Sequence, residues 1–143
     1  MNIVELSILD IDRIVALYQS DFDDGWNKEM LVSAFNEGRF HAFGVEENGR
    51  LIGFIGITLS ADFADIESVY VDKNFRRQKV ANALVDKALN FIYEKGLNKT
   101  LLEVKESNGG AIALYEKAGF KRISIRKKYY NDGSNAIIMV REI

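Results

Sequence analysis

A cluster of three positive charges stands where the sequence predicts the start of a helix. Arg76, Arg77 and Lys79 immediately precede an amphipathic segment that ends near Lys95. The positive end of a helix dipole disfavours each nearby cation by ~0.3–1 kcal/mol, so the cluster favours a bound anion. The first backbone N–H groups of a helix have no partner within it and suit phosphate oxygens. We therefore expect this helix start to bind the pyrophosphate of a nucleotide-containing cofactor.

A carboxylate within a predicted strand is the second candidate for chemistry. Strand alternation puts Glu103 on the face opposite Leu102 and Val104. Partial removal from water there would make the carboxylate a better general base. The alternative is an ion pair with Lys105 or a neighbouring lysine, which on spacing alone is the more common role. Glu67, also on a predicted strand, is the other candidate base.

Two polar residues share one face of a predicted helix over residues 109–118. Asn108 and Tyr115 are seven residues apart and lie on the same face as Ala111 and Ile112. A cofactor laid along that face would meet both polar groups. Asn108 is also expected to cap the helix with its side-chain oxygen, which leaves its amide NH₂ for a ligand. On spacing alone, Tyr115 is more often a core aromatic.

The elements that must position these residues alternate between strands and helices. Strands are expected at 2–6, 40–46, 51–59, 64–71, 100–104, 120–127 and 136–141. Helices are expected after Asp10 or Asp12, after Asn27, and at about 79–95 and 109–118. The pair Asn48-Gly49 predicts a hairpin turn, and Gly96 a helix end. This order predicts an α/β fold, with a mixed central sheet of about seven strands and about four helices on both faces.

Composition limits the function classes. The 143 residues are expected to form a single domain, 1–143, and a net charge of −2 predicts no direct partner among nucleic acids. With no cysteine and one histidine, the chain has neither a cysteine nucleophile nor the ligands for a transition-metal site, so we expect no metal. No run approaches ~18 apolar residues and no signal peptide is evident, which predicts a cytoplasmic protein without a membrane partner.

The segment from residue 64 onward resembles the GNAT superfamily of acetyl-CoA-dependent N-acetyltransferases. The family motif Gln/Arg-x-x-Gly-x-Gly/Ala is matched by Arg76, Lys79 and Ala81, with lysine in the first glycine position. The segments LEVKESN (102–108) and AIALYEKAGF (111–120) are more specific. They resemble the branch that acetylates the N-terminal alanine of a ribosomal protein, as do residues 126–133 and 136–139.

The resemblance implies acetyl-CoA as co-substrate and a role for each matched residue. Glu103 would be the general base and Tyr115 the general acid. The strand backbone at residues 69–71 would hold the pantetheine arm and the acetyl carbonyl. The implied cofactor-binding residues are Val69, Tyr70, Val71, Arg76, Arg77, Gln78, Lys79, Val80, Ala81, Asn82 and Asn108. Lysine, unlike glycine, disfavours positive φ, so a loop that needs a positive φ at Lys79 would weaken cofactor binding. Otherwise Lys79 would still donate its N–H and add a charge-assisted contact.

The implied acceptor is a protein or peptide N-terminus, in the resembled branch the N-terminal alanine of a small-subunit ribosomal protein, acetylated directly in a ternary complex. The alternatives are a small-molecule amine, a lysine side chain, or a non-catalytic acyl-CoA-binding module. The acceptor walls are expected at residues 20–40 and 126–134. Candidates there are the aromatics Phe22, Trp26, Tyr129 and Tyr130 and the acids Asp21, Asp23, Asp24 and Glu29. A monomer or weak homodimer is expected.

Overall fold

The computed structural model describes residues 1–18, 26–77 and 79–142, and within these ranges it contains a seven-stranded sheet and four α-helices. The strands are β1 (Asn2–Leu6), β2 (Phe40–Glu47), β3 (Arg50–Leu59), β4 (Ala64–Val71), β5 (Lys99–Lys105), β6 (Lys121–Arg126) and β7 (Ala136–Glu142). The helices are α1 (Ile11–Tyr18), α2 (Lys28–Asn36), α3 (Val80–Glu94) and α4 (Gly109–Lys117). The predicted mixed α/β class is confirmed, and most predicted bounds lie within one residue of those observed.

The strand order is β1-β2-β3-β4-β5-β7-β6. The first four strands form an antiparallel meander, and β7 pairs antiparallel with both β5 and β6. The last two strands of the chain therefore pair directly with each other. The insertion of β7 between β5 and β6 was not predicted, and it decides which side chains lie beside β5.

Strands β4 and β5 run parallel, but they pair over only a short length. The pairs are Ala64 with Thr100, Asp65 with Leu101 and Ile66 with Leu102. Beyond Ile66 the two strands separate. The part of β4 that continues to Val71 therefore has an edge facing β5 that no described strand covers.

Each face of the sheet carries a hydrophobic core. Phe54 and Ile55 are neighbours on β3 and both are 0% exposed, yet they belong to different cores. Ile55 packs with α3 side chains such as Leu84, and α4 covers the same face. Phe54 packs with Ile14 of α1 and Leu31 of α2. Burial of each such side chain contributes ~1.5–3 kcal/mol, which fixes helices on both faces as predicted.

The start of the first helix differs from the prediction. Neither Asp10 nor Asp12 is the cap, because a short 3₁₀ turn at Ile8–Asp10 precedes α1 and Ser7 caps that turn. The Ser7 side chain accepts from the Leu9 N–H, and the Asp10 carboxylate accepts from the Ser7 N–H at 2.8 Å. Asp10 is thus the reciprocal partner of a capping box.

The turn and helix-end predictions are confirmed. Asn48 and Gly49 have φ values of 52° and 78°, the pair of positive angles that a type I′ hairpin turn requires. Gly96 ends α3 with φ of 81°, and the Leu97 N–H donates to the Ile92 carbonyl. Asn27 caps α2 by accepting from the Met30 N–H at 2.8 Å. None of the described helices is both long and apolar enough to cross a bilayer.

Candidate active site

A cavity of about 750 Å³ opens where β4 and β5 separate and extends along the starts of α3 and α4. It is lined by Glu103 and Tyr115, the two predicted catalytic residues, and by Glu67, the alternative base. The predicted cofactor-binding residues in its lining are Val69, Tyr70, Val71, Arg76, Arg77, Lys79, Val80, Ala81, Asn82 and Asn108. Gln78 lies outside the described residues. The fold therefore gathers predicted site residues from between positions 67 and 115 around one cavity.

Strand β4 contains one extra residue, Glu67, at the wall of this cavity. Ser68 is paired with Gly56 on β3, whereas Ile66 is paired with Ile57, so Glu67 has no partner opposite it. This arrangement is a β-bulge, which bends its strand and re-aims the side chains beyond it. The sequence gives no warning of the bulge, because neither glycine nor proline stands at that point of β4.

The bulge changes which side chains of β4 face which core. Before it, Ile66 packs in the core beneath α3. After it, Val69 packs against that same core, although the two residues are three apart and strict alternation would put them on opposite faces. Tyr70 packs on the other face, with α1 and α2. The bulge at Glu67 thus shifts the alternation of side chains by one residue, at the point where β4 separates from β5.

The backbone of β4 beyond the bulge is directed alternately toward β3 and toward the cavity. The Asp72 N–H donates to the Ile52 carbonyl at 2.8 Å. Opposed residues in an antiparallel ladder alternate between hydrogen-bonded and non-hydrogen-bonded pairs, so Tyr70 also bonds to β3. Val69 and Val71 therefore turn their N–H and C=O groups toward the open edge.

A buried aspartate shapes the turn that follows β4. Asp72 is 2% exposed, accepts a hydrogen bond from the Arg50 guanidinium at 2.6 Å, and accepts another from the Asn74 backbone N–H at 2.9 Å. Four residues later, the Arg76 Nε donates to the Val71 carbonyl at 3.1 Å. No role was assigned to Asp72 from the sequence. Its side chain forms an Asx turn, in which an Asp accepts from the backbone N–H two residues ahead.

Helix α3 begins at Val80, and Lys79 is its N-cap residue. Lys79 has φ of 64° and Arg77 has φ of 66°, so both adopt the left-handed conformation. The condition under which lysine at position 79 was expected to weaken cofactor binding, a positive φ, is thus met. The loop must reverse the chain between β4 and α3, and two residues take positive φ to do so, at a cost of ~1–2 kcal/mol for a non-glycine residue. Lys79 makes no capping hydrogen bond through its side chain.

Glu103 forms an ion pair with Arg126 and not with Lys105. The Arg126 Nη1 lies 2.8 Å from the Glu103 Oε1, whereas the Lys105 Nζ lies 3.6 Å from Asp132. Arg126 is on β6, across β7 from β5, so spacing within β5 could not reveal the contact. The two paired side chains are 32% and 50% exposed. Such a surface pair contributes little to stability.

Three carboxylates influence one another beside the bulge. Burial raises the pKa of Glu67, the charges of Asp65 and Glu103 raise it further, and a hydrogen bond with Thr58 opposes them. Burial and the charge of Glu103 also raise the pKa of Asp65. Glu67 therefore holds a proton to a higher pH than an ordinary glutamate does, and its carboxylate is a stronger base.

Helix α4 brings the predicted polar face to the cavity. The Asn108 Oδ1 accepts from the Ala111 N–H at 3.1 Å, so the predicted cap is confirmed. Tyr115 is 8% exposed, and burial followed by the nearby Tyr130 raises its pKa to about 12. The phenol is thus protonated at neutral pH. Ile112, expected on the same face, is 4% exposed within the core beneath α4 and does not line the cavity.

The expected acceptor walls are only partly described. Tyr130 lines the cavity, and Tyr129 is 47% exposed beneath the Arg126 guanidinium. Trp26 instead stacks on Phe40 and packs with the α1–α2 core. Glu29 is exposed in the first turn of α2. Phe22, Asp21, Asp23 and Asp24 lie outside the described residues.

Tyr18 of α1 and Ser68 of β4 are among the cavity-lining residues that the sequence analysis did not assign to the site. No local sequence pattern linked Tyr18 to Ser68, which lies fifty positions along the chain. Within the described ranges, no group of three or more His, Cys, Asp or Glu side chains is placed to hold a metal ion.

Comparisons with known proteins give a consistent result. A sequence profile of the acetyltransferase (GNAT) family matches residues 11–120. The [ribosomal protein bS18]-alanine N-acetyltransferase of Escherichia coli strain K12 is 34% identical over 122 residues, which are 82% of this chain and 81% of that protein.

Solved structures agree. The crystal structure of the ribosomal-protein-S18-alanine N-acetyltransferase from Escherichia coli superposes with a TM-score of 0.92 at 31% identity, covering 99% of this chain and 93% of that one. The PaiA N-acetyltransferase of Thermoplasma acidophilum, in complex with coenzyme A, shares the fold with a TM-score of 0.80 at 20% identity over the whole of both chains. The chain therefore belongs to the GNAT acetyltransferase family and is an N-acetyltransferase.

Proposed function

We propose that the enzyme transfers the acetyl group of acetyl-CoA to the α-amine of a protein N-terminus, and that this acceptor is the N-terminal alanine of a small-subunit ribosomal protein. One observation carries the proposal. A single cavity joins the cationic helix start, the open edge of β4, the Tyr115 phenol and the carboxylates of Glu67 and Glu103. The Escherichia coli relative, at 34% identity, is named for that activity.

The cavity has the donors that acetyl-CoA requires. Arg77 and Lys79 are exposed beside the first N–H groups of α3, and together they suit the pyrophosphate. The backbone of Val69 and Val71 suits the amides of the pantetheine arm. Asn108 uses its oxygen to cap α4, so its NH₂ group is a donor for the same ligand. Acetyl-CoA supplies an acyl thioester, and these contacts would lead it toward Tyr115.

An α-amine acceptor needs only modest help from a base. With a pKa of ~7.7–8.0, an α-amine is roughly a tenth neutral at pH 7, whereas a lysine side chain near ~10.4 is neutral only about 0.04% of the time. Glu103 and Glu67 line the cavity and interact electrostatically. Glu103 accepts the proton directly or through water. Glu67 is the second carboxylate in this part of the cavity, which we call the proton-accepting end.

Direct transfer forms one C–N bond and breaks one C–S bond. The amine proton passes to the carboxylates, and the departing sulfur takes a proton from Tyr115. Because the pKa of Tyr115 is about 12, its phenol carries that proton throughout the neutral range. The N–H groups of Val69 and Val71 face the cavity and would stabilise the charge that develops on the acetyl oxygen.

The test is an acetylation assay with matched peptides. Purified enzyme is incubated with acetyl-CoA and an alanine-led peptide that also contains a lysine, and the product is mapped by mass spectrometry. The control is the same peptide with its α-amine already acetylated. Modification of the first peptide alone, with intersecting initial-rate plots, would support α-amine transfer in a ternary complex.

Acetylation of the blocked peptide at lysine would contradict the proposed acceptor, as would activity confined to polyamines or aminoglycosides. Tight acetyl-CoA binding without transfer to any amine would instead support a non-catalytic binding module. A Tyr115→Phe variant should lower turnover and leave the Kd for acetyl-CoA nearly unchanged.

A further inference from the structure

Helix α1 is hydrogen-bonded to the bulge of β4 through one contact between side chains. The Tyr18 Oη and the Ser68 Oγ are 2.5 Å apart. Tyr18 is the last residue of α1, and Ser68 directly follows the unpaired Glu67. Both residues line the cavity. The contact therefore lies where β4 separates from β5, beside the proposed proton-accepting end.

The ring of Tyr18 is anchored independently of its hydroxyl. Its centroid is 4.7 Å from that of Tyr70 and 6.0 Å from that of Phe54, and the residue is 7% exposed. A hydroxyl this deeply buried costs free energy unless it is hydrogen-bonded, and Ser68 meets that need. Because the ring is rigid, it presents the hydroxyl to Ser68 at a fixed position.

The strand beside the bulge supports Glu67 but not Ser68. Glu67 has no opposed residue in the β3 ladder, but its side chain is hydrogen-bonded to Thr58 of that strand, whereas the residue opposite Ser68 is Gly56, which has no side chain. Gly56 cannot readily be larger, because a Cβ there would lie 2.6 Å from the Phe40 ring. Support for Ser68 therefore comes from α1 and not from the neighbouring strand.

We propose that Tyr18 and Ser68 are a positioning pair. Their hydrogen bond fixes the β4 bulge and so holds the Glu67 carboxylate at the proton-accepting end of the cavity. Neither residue is assigned a chemical step, and the proposal rests on the proposed acetyl transfer to an amine. A carboxylate that is displaced by a fraction of an ångström loses much of its value in proton transfer. The cationic start of α3, proposed for the pyrophosphate, includes neither Tyr18 nor Ser68. Val69 directly follows Ser68 and is proposed to contact the pantetheine arm, so the Kd for acetyl-CoA should change much less than kcat.

Four variants test the pair by kinetics. Tyr18→Phe keeps the ring and Ser68→Ala keeps the strand, and each should lower kcat roughly tenfold while the Kd for acetyl-CoA changes by a much smaller factor. The double variant should be no slower than either single one, because one shared contact is lost. Ser68→Thr keeps the hydroxyl and should retain most of the turnover. Tyr93→Phe, at a tyrosine on α3 that is 64% exposed, is the matched control and should match the wild type.

A second measurement does not require activity. Amide hydrogen exchange at residues 67–69 should be faster in Tyr18→Phe than in the wild type, with α3 unchanged. If the wild type acetylates no amine, the proposed function fails, and this exchange result alone still decides whether the pair fixes the bulge. Unchanged hydrogen exchange at residues 67–69 would overturn the proposal. So would a Ser68→Thr variant as slow as Ser68→Ala, or a double variant whose loss of kcat equals the product of the two single losses.

Discussion

The guanidinium of Arg126 lies 2.8 Å from the carboxylate of Glu103, and the same guanidinium lies 4.2 Å from the centre of the Tyr129 ring. A charge contact and a cation–π contact thus hold Arg126 beside the cavity. Because the pair is largely exposed, the fold depends little on it. Glu103 can therefore be changed with little effect on folding, so a change in the activity of a Glu103 variant reports on catalysis and not on stability.

Glu103→Gln is expected to lower kcat by about 10²–10³-fold, the usual contribution of a general base, with the Kd for acetyl-CoA unchanged in calorimetry. Arg126→Gln is the matched control, since it breaks the same ion pair but keeps the carboxylate. It should keep most of the turnover and a similar melting temperature. Full activity in Glu103→Gln would remove this residue from the mechanism.

Glu67→Gln is expected to alter the pH dependence of kcat/KM. In the wild type the raised pKa of Glu67 means that its carboxylate gains a proton at a higher pH than usual as the solution is acidified. Activity should therefore fall early on the acid side. Removing this group should move the acid limb to lower pH and lower kcat by less than Glu103→Gln does. An acid limb that stays in place would exclude Glu67 from proton exchange.

Stability at alkaline pH is expected to depend on Tyr115. Its pKa is about 12 in the folded protein and ~10 when unfolded, so its contribution is complete below pH ~10 and is lost as the pH rises toward 12. The loss should be on the order of 2 kcal/mol for this residue. Denaturant unfolding at pH 9 and pH 11.5 should show a smaller fall for Tyr115→Phe. An equal fall in the two proteins would contradict the burial argument.

Lys79→Gly is expected to stabilise the protein by up to about 1 kcal/mol. Glycine adopts the φ of 64° found at this position without strain, which outweighs its greater freedom in the unfolded chain. Binding of acetyl-CoA should persist, because the backbone N–H at this position is retained. Denaturant unfolding and calorimetry measure the two effects. A large loss of affinity would show that the lysine side chain, and not the loop geometry, holds the ligand.

Asp72→Ala is expected to destabilise the protein by about 1–3 kcal/mol, since it removes a buried cap and leaves the Asn74 N–H unsatisfied. It should also raise the Kd for acetyl-CoA, because the turn before α3 loses its support. Arg50→Gln is the comparison. Arg50 is 62% exposed, so its loss should cost much less. Equal effects of the two changes would mean that the ion pair, not the Asx turn, shapes the loop.

Features specified by neighbouring residues were predictable. The type I′ turn follows from Asn48-Gly49, and the end of α3 follows from Gly96, because few other residues accept positive φ. The caps by Asn27 and Asn108 follow from side chains that bond two or three residues ahead. The turn, the helix end and the two caps can each be predicted without knowing the rest of the fold.

Features that depend on distant chain segments were not predictable. The Arg126 partner of Glu103 requires the strand order β5-β7-β6, which no local pattern encodes. The Tyr18–Ser68 contact joins residues that are fifty positions apart. The bulge at Glu67 arises from pairing with β3, and the cap at Ser7 was missed because a 3₁₀ turn precedes the regular helix. The candidate residues could therefore be picked out by residue type, while the contacts they make follow from the strand order and the packing.

The short pairing of β4 with β5, over three residue pairs, has a consequence for the cooperativity of unfolding. Those three residue pairs are the only strand pairing between β1–β4 and β5–β7 in the described sheet, and the hydrophobic core shared with α3 and α4 also joins the two half-sheets. A molecule lodged in the gap would touch both halves and resist their parting. Occupancy at a hundredfold excess over Kd would add ~2.7 kcal/mol against unfolding. The co-substrate would then act as a structural member of the enzyme as well as a reactant.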